Sequence, residues 1–158
     1  MQVAFAKLSA ERHRFTVVRA DGVRDAVELT TRSYLLHDWV HFAVETELPI
    51  ADGFYGRLAS GTRLSVLNDR ARAPAPGSGL ALAEALVGPM QSVYHGRLAV
   101  DAYLALVDRQ RAPEVDGAFV ARVNERLRRL AGRWRATAYG REMRLEWPAP
   151  VLTRWLPA

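Results

Sequence analysis

Asp21-Gly22 stands between two Val-rich runs, HRFTVVRA and VRDAVELT, and this dipeptide restricts the fold more than any other feature. Glycine takes positive φ without steric cost, so Asp-Gly between β-prone runs signals a tight hairpin. With MQVAFAKL ahead of them, the first third of the chain reads as three short strands. The hairpin register carries a conflict. A two-residue loop places Arg19 opposite Arg24, and facing like charges repel. A longer loop relieves it.

The pattern then changes period. Residues 33–48 read as a helix, with Ser33 placed to cap it and Pro49 to stop it. Asp52 is a candidate cap for a short helix through Phe54 and Leu58, with Gly61 just past its end. APAPGSG, residues 73–79, reads as a loop inside one domain. Residues 80–111 are helical in character, and Gly88-Pro89 and His95-Gly96 divide them into two or three pieces. A long amphipathic helix follows over about 115–135. In REMRLEWP, Met143, Leu145 and Trp147 alternate with Arg144 and Glu146, a period of two that predicts a closing strand ended by Pro148.

The expectation is therefore one α+β domain over 1–158. Its antiparallel sheet has about four strands, three N-terminal and one near the C-terminus, packed with several helices. Residues 149–158, with Trp155, form a candidate docking tail, and a second copy of the chain is one surface it can dock on.

Composition narrows the chemistry. The chain has no cysteine, which excludes disulfides, thiolate catalysis and Cys-based zinc sites, so any metal falls to His, Asp and Glu. No apolar run approaches the roughly 20 residues that span a bilayer, and the start lacks a basic region leading into a long apolar one. A cytoplasmic protein with no membrane partner is expected. A net charge of +5 draws the chain toward anions but is modest for a nucleic-acid binder.

The sharpest site signal is LLHDWVHFAVETEL, residues 35–48. At about 100° per residue, His37, Asp38, His41 and Glu45 share an arc of roughly 100° beside an apolar face of Leu36, Trp39, Val40, Ala43 and Val44. Imidazoles at i and i+4 sit one turn apart on one side, as a helix presents two nitrogens to one zinc. The segment is similar to the zincin H-E-x-x-H motif, with Asp38 where that motif has its general base. That similarity implies Asp38 as base, or as partner to His41. His37 and Glu45 lie eight residues apart, roughly 12 Å along the axis. One ion can take His37 with His41, or His41 with Glu45, so a third ligand comes from elsewhere. His95, before a glycine, is a candidate; His13 is another, and Asp101 and Glu84 are weaker ones. The plainer alternatives are a metal-free polar cluster on a partly exposed edge, and a protein-interaction edge.

Three stretches resemble a family of small bacterial proteins of uncharacterised function. They are Leu36-His37-Asp38-x-x-His41-Phe42-x-x-Glu45, then Asp52-Gly53-Phe54-Tyr55-Gly56, then Leu145-x-Trp147-Pro148. The resemblance implies one bacterial domain and no particular reaction.

Arg122, Arg126, Arg129 and Arg133 form a stripe on the long helix separate from the face of Phe119, Val120, Val123, Leu127, Leu130 and Trp134. Such a stripe can meet phosphates, or pair with carboxylates such as Glu125. The glycines of ADGFYGRLASG lack both P-loop and dinucleotide spacing and fit caps and close packing. Two function classes remain. One is a site for zinc or another divalent metal on helix 33–48, suited to hydrolysis. The other is a non-catalytic interaction module using the arginine stripe or self-association.

Overall fold

The computed structural model describes residues 1–48, 50–68, 75, 77–108 and 110–148. Strands β1 (Gln2–Lys7), β2 (Arg12–Val18) and β3 (Arg24–Thr30) form an antiparallel meander, and β4 (Glu142–Glu146) pairs with the other side of β1. The order is β3-β2-β1-β4. This is the α+β fold expected from the sequence, three strands early and one late.

Register follows side-chain alternation. Phe5 sits opposite Phe15 and Met143, and Val3 opposite Val17 and Leu145. All six are buried toward the helices. The other face carries exposed Gln2, Arg12, Arg14, Glu28 and Arg144. The hairpin resolves the Arg19 conflict with a three-residue loop. Arg19 N donates to Val23 O at 3.0 Å, and Gly22 takes φ +80°. Arg24 then faces Val18, not Arg19, and a glycine in the left-handed region is what this loop length requires.

Helix α1 (Thr31–Glu47) leaves β3 without a connecting loop. It starts ahead of Ser33, which lies in the first turn rather than at the cap; Thr30 is the N-cap and no side chain caps it. The Thr31 amide already donates to Glu11 O at 2.8 Å, so one exposed donor is satisfied by the strand connection. Pro49, the expected stop, lies outside the described residues. From Asp38 to Glu45 every residue of α1 is buried. The sheet covers one side, and α4 (Gly79–Tyr94) and α6 (Gly117–Ala136) cover others. Asp38, His41 and Glu45 of the polar stripe are thus interior, and His37 at its start keeps the partial exposure that was one reading of it.

Short helices α2 (Phe54–Ala59) and α3 (Leu64–Leu67) follow α1. Gly53, not Asp52, is the N-cap of α2; Gly61 follows its end with φ +108°. The Asp52 carboxylate accepts instead from the Gly79 amide at 2.8 Å, at the start of α4. Helix α4 runs unbroken through Gly88-Pro89, where a division was expected. Proline removes one helical hydrogen bond, but Leu86, Val87, Met90 and Val93 are buried around it and tertiary packing prevails. The break falls at the other expected place, where Gly96 has φ +68°, before α5 (Val100–Leu106). The long helix α6 starts with the Asp116 carboxylate accepting from Phe119 N at 2.7 Å. Its buried row of Phe119, Val120, Val123, Leu127 and Leu130 is the apolar face read from the sequence.

Residues 73, 74 and 76 of the APAPGSG loop, and the 149–158 tail with Trp155, lie outside the described residues. No helix among the described residues is long and apolar enough to cross a membrane.

Candidate metal centre

Helices α1 and α4 lie side by side, and their facing stripes build the site. Helix α1 offers His37, His41 and Glu45 at successive turns; α4 offers Glu84 and, two turns on, Gln91. His37, His41 and Glu84 bring one ligand atom each to within 4.8 Å of one another. His41 is the inner member, only 1% exposed. The side chains of His37 and Glu84 are 30% and 39% exposed, so the outer side of the trio meets solvent.

Each nitrogen of His41 has a distinct neighbour. Nδ1 is 2.9 Å from Glu45 Oε1. Nε2 lies 3.3 Å from Glu84 Oε1, yet it is buried and not aligned for a hydrogen bond. Burial would lower the imidazole pKa, but the hydrogen bond to Glu45 and the close carboxylates of Glu45 and Glu84 outweigh it and raise it to about 9. Burial likewise favours the neutral form of Glu84, and His41 and His37 reverse this, holding its carboxyl below the usual range.

Glu45 is anchored from the far side. Oε1 also accepts from the Phe54 amide, and Oε2 from the Tyr55 amide, both at 3.0 Å. These are the first amides of α2, where helix ends leave donors unpaired and favour an anion. A Cβ on Gly53 would lie 2.5 Å from Glu45 Oε2, so only glycine leaves room for this approach. Gly56 is equally constrained, since its Cβ would fall 2.1 Å from Ala51 O. The Tyr55 hydroxyl donates to Asp38 O at 3.1 Å, and its ring stacks on Trp147 at 5.0 Å. Trp147 in turn meets Phe42 edge-on at 5.6 Å. Helix α1, the 52–56 turn and Trp147 therefore meet around one buried carboxylate and one stacked aromatic pair.

Several candidates fall outside the trio. Glu45 is bonded to Nδ1 of His41, whereas Glu84 lies at its Nε2. His95 caps the C-terminal end of α4 and is exposed. Asp101 sits exposed in the first turn of α5. His13 is buried between Phe5 and Trp134, with ring centroids 6.0 and 6.3 Å away. Asp38 is buried close to Tyr55, whose hydroxyl pKa is raised first by burial, then by the Asp38 and Glu45 charges. The trio takes its carboxylate from Glu84, one of the weaker sequence candidates. Its only sequence signal was a lone acid in the apolar run LALAEALVG.

The arginine stripe is paired along its length. Arg122 Nε and Arg126 Nη2 hold Glu47, at the end of α1, at 2.9 and 2.5 Å. Arg129 lies 3.4 Å from Glu125, and Arg133 donates to Arg144 O at 2.6 Å. Arg122, Arg126 and Arg129 thus pair with carboxylates, and Arg133 with a main-chain carbonyl.

Fold and site together describe an α+β domain whose helix pair holds a two-histidine, one-glutamate group able to take a metal ion. No family model, curated protein or solved structure matches the chain.

Proposed function

We propose that this chain binds a divalent metal, zinc by ligand type, through His37, His41 and Glu84, and uses it for hydrolysis. One observation carries the reading. His41 is buried with Nδ1 occupied by Glu45, while its buried Nε2 looks toward Glu84 without a hydrogen bond. A buried polar atom left in this way is costly, by about 1–3 kcal/mol, and a metal ion removes that cost. Charge supports the same reading. A divalent ion in place of the His41 proton balances the Glu45 and Glu84 carboxylates.

Two imidazoles and one carboxylate suit zinc, which is four-coordinate with such ligands. Three protein ligands leave a position for water, whose pKa zinc lowers to about 7. The exposed side of His37 and Glu84 is where that water and a substrate have access. Asp38 follows His37 as the base follows the first histidine of the zincin motif, and it is the candidate base or orienting group.

The test is elemental analysis of protein purified without a histidine tag. About one equivalent of zinc is expected in the parent chain, and far less in His37→Ala and Glu84→Ala. Equal, substoichiometric metal in all three overturns the reading.

A further inference from the structure

His41 and His37 are both gripped at Nδ1, but by different kinds of group. The grip on His41 is a carboxylate that can only accept, and two main-chain amides fix it in place. The grip on His37 is the Gln91 amide, whose Nε2 lies 3.0 Å from His37 Nδ1. In that pose the amide donates, and the ring proton of a neutral His37 sits on Nε2, toward Glu84 Oε2 at 3.8 Å. Half a turn of the terminal amide exchanges Nε2 for Oε1 with almost no change of shape. Oε1 then accepts from Nδ1–H, and the Nε2 lone pair turns toward Glu84.

We propose that Glu45 and Gln91 are the positioning residues of the centre: each accepts a hydrogen bond from the Nδ1–H of one histidine, so that both rings meet the metal through Nε2. This rests on the metal reading above. The alternative, ligation through Nδ1, requires His41 to leave the buried Glu45 carboxylate and His37 to leave Gln91. Histidine ligands in metal sites regularly donate their second N–H to a carboxylate or carbonyl, which fixes the tautomer and the ring orientation. Here the two partners come from different helices. Glu45 lies one turn past His41 on α1, while Gln91 reaches across from α4. The pair also divides the work. Glu45 is set before metal arrives, whereas Gln91 changes its hydrogen-bonding sense on binding.

The test uses the full chain and zinc. Affinity is read by competition with a chromophoric chelator, and the metal-bound nitrogen by long-range proton–nitrogen spectra of the zinc-loaded protein. Gln91 is partly exposed, so Q91A is expected to fold and to bind zinc about 10- to 100-fold more weakly. Q91E offers only acceptors, and is expected to bind at least as tightly as the parent. The spectra are expected to show protonated Nδ1 and metal-bound Nε2 on both rings. Parent affinity in Q91A, no recovery in Q91E, or metal on either Nδ1 overturns the positioning role while leaving the metal centre standing. A parent chain that takes up no zinc overturns both.

Discussion

Two histidines of this chain are almost fully buried, and their surroundings push them in opposite directions. His13 lies among Phe5 and Trp134, with Thr31 Oγ1 at 3.3 Å from Nδ1, and burial lowers its pKa to about 4. His41 lies between Glu45 and Glu84, and its pKa rises to about 9 although burial opposes this. Desolvation alone disfavours charge, and only close opposite charges reverse it. The comparison shows that burial does not make a histidine structural or functional. The neighbours decide, and only His41 sits beside further ligand-competent groups.

The largest break in this contrast comes from removing Glu45. Glu45→Ala leaves His41 buried without its main partner and frees two amides of α2. A loss of about 3–5 kcal/mol in chemical denaturation is expected, as for other broken buried pairs. A loss under about 1 kcal/mol counts against the anchoring role given to Glu45.

A smaller effect separates the two rings by pH. The folded-state pKa of His13 lies below its unfolded value, so its contribution is complete above about pH 6.5 and falls away as pH drops toward 4. Metal-free protein should lose about 2 kcal/mol from this group between about pH 7 and pH 5, and His13→Leu should flatten that limb. His41 has the opposite sign. Its contribution is complete below about pH 6.5 and is lost as pH rises through about 9. Denaturant midpoints across both ranges, with added chelator, check the pair; an alkaline limb without a decline sinks the charged-His41 assignment.

Gly53 tests the geometry behind that charge. Gly53→Ala pushes a methyl group into the Glu45 carboxylate, and overpacking at such a site costs about 1–3 kcal/mol. Gly88→Ala is the control, since its Cβ meets nothing within 4 Å. Melting temperatures should fall for the first and not for the second. The smallest effects belong to α6. Arg126→Ala removes a half-buried pair with Glu47 and should cost about 1 kcal/mol, whereas Arg129→Ala should stay within about 0.5 kcal/mol.

The legible part of the site was the part that a single helix repeats. His37 and His41, one turn apart, declare a shared face, and Glu45 is visible as the next step along it. Its distance from His37 argued against one ion taking both histidines and Glu45 together, and left His41 with Glu45 open. Its partnership with the α2 amides was hidden, because main-chain donors leave no mark in a sequence. Glu84 was hidden for another reason. It comes from a helix whose position beside α1 is set by packing, and one acid in an apolar run has no periodicity of its own. His95 drew attention through the glycine after it, but that glycine serves only to end α4. For the fold, alternation and the Asp-Gly turn exposed the strands. Pro89 misled because local breaking strength is weighed against burial that only the assembled core supplies.

The placement of β4 has a consequence for the order in which the molecule is made. Strand β1 has one neighbour a few residues away and the other near residue 145. The meander, α1 and α2 draw on the first 60 residues, so Glu45 can reach the Phe54 and Tyr55 amides early. Glu84 arrives with α4, still ahead of β4. Pairings between distant parts of a chain form slowly, because loop closure precedes their reward. His37, His41 and Glu84 thus all precede β4 in the chain. An ion bound before β4 pairs would hold α4 against α1 while the last strand finds its place.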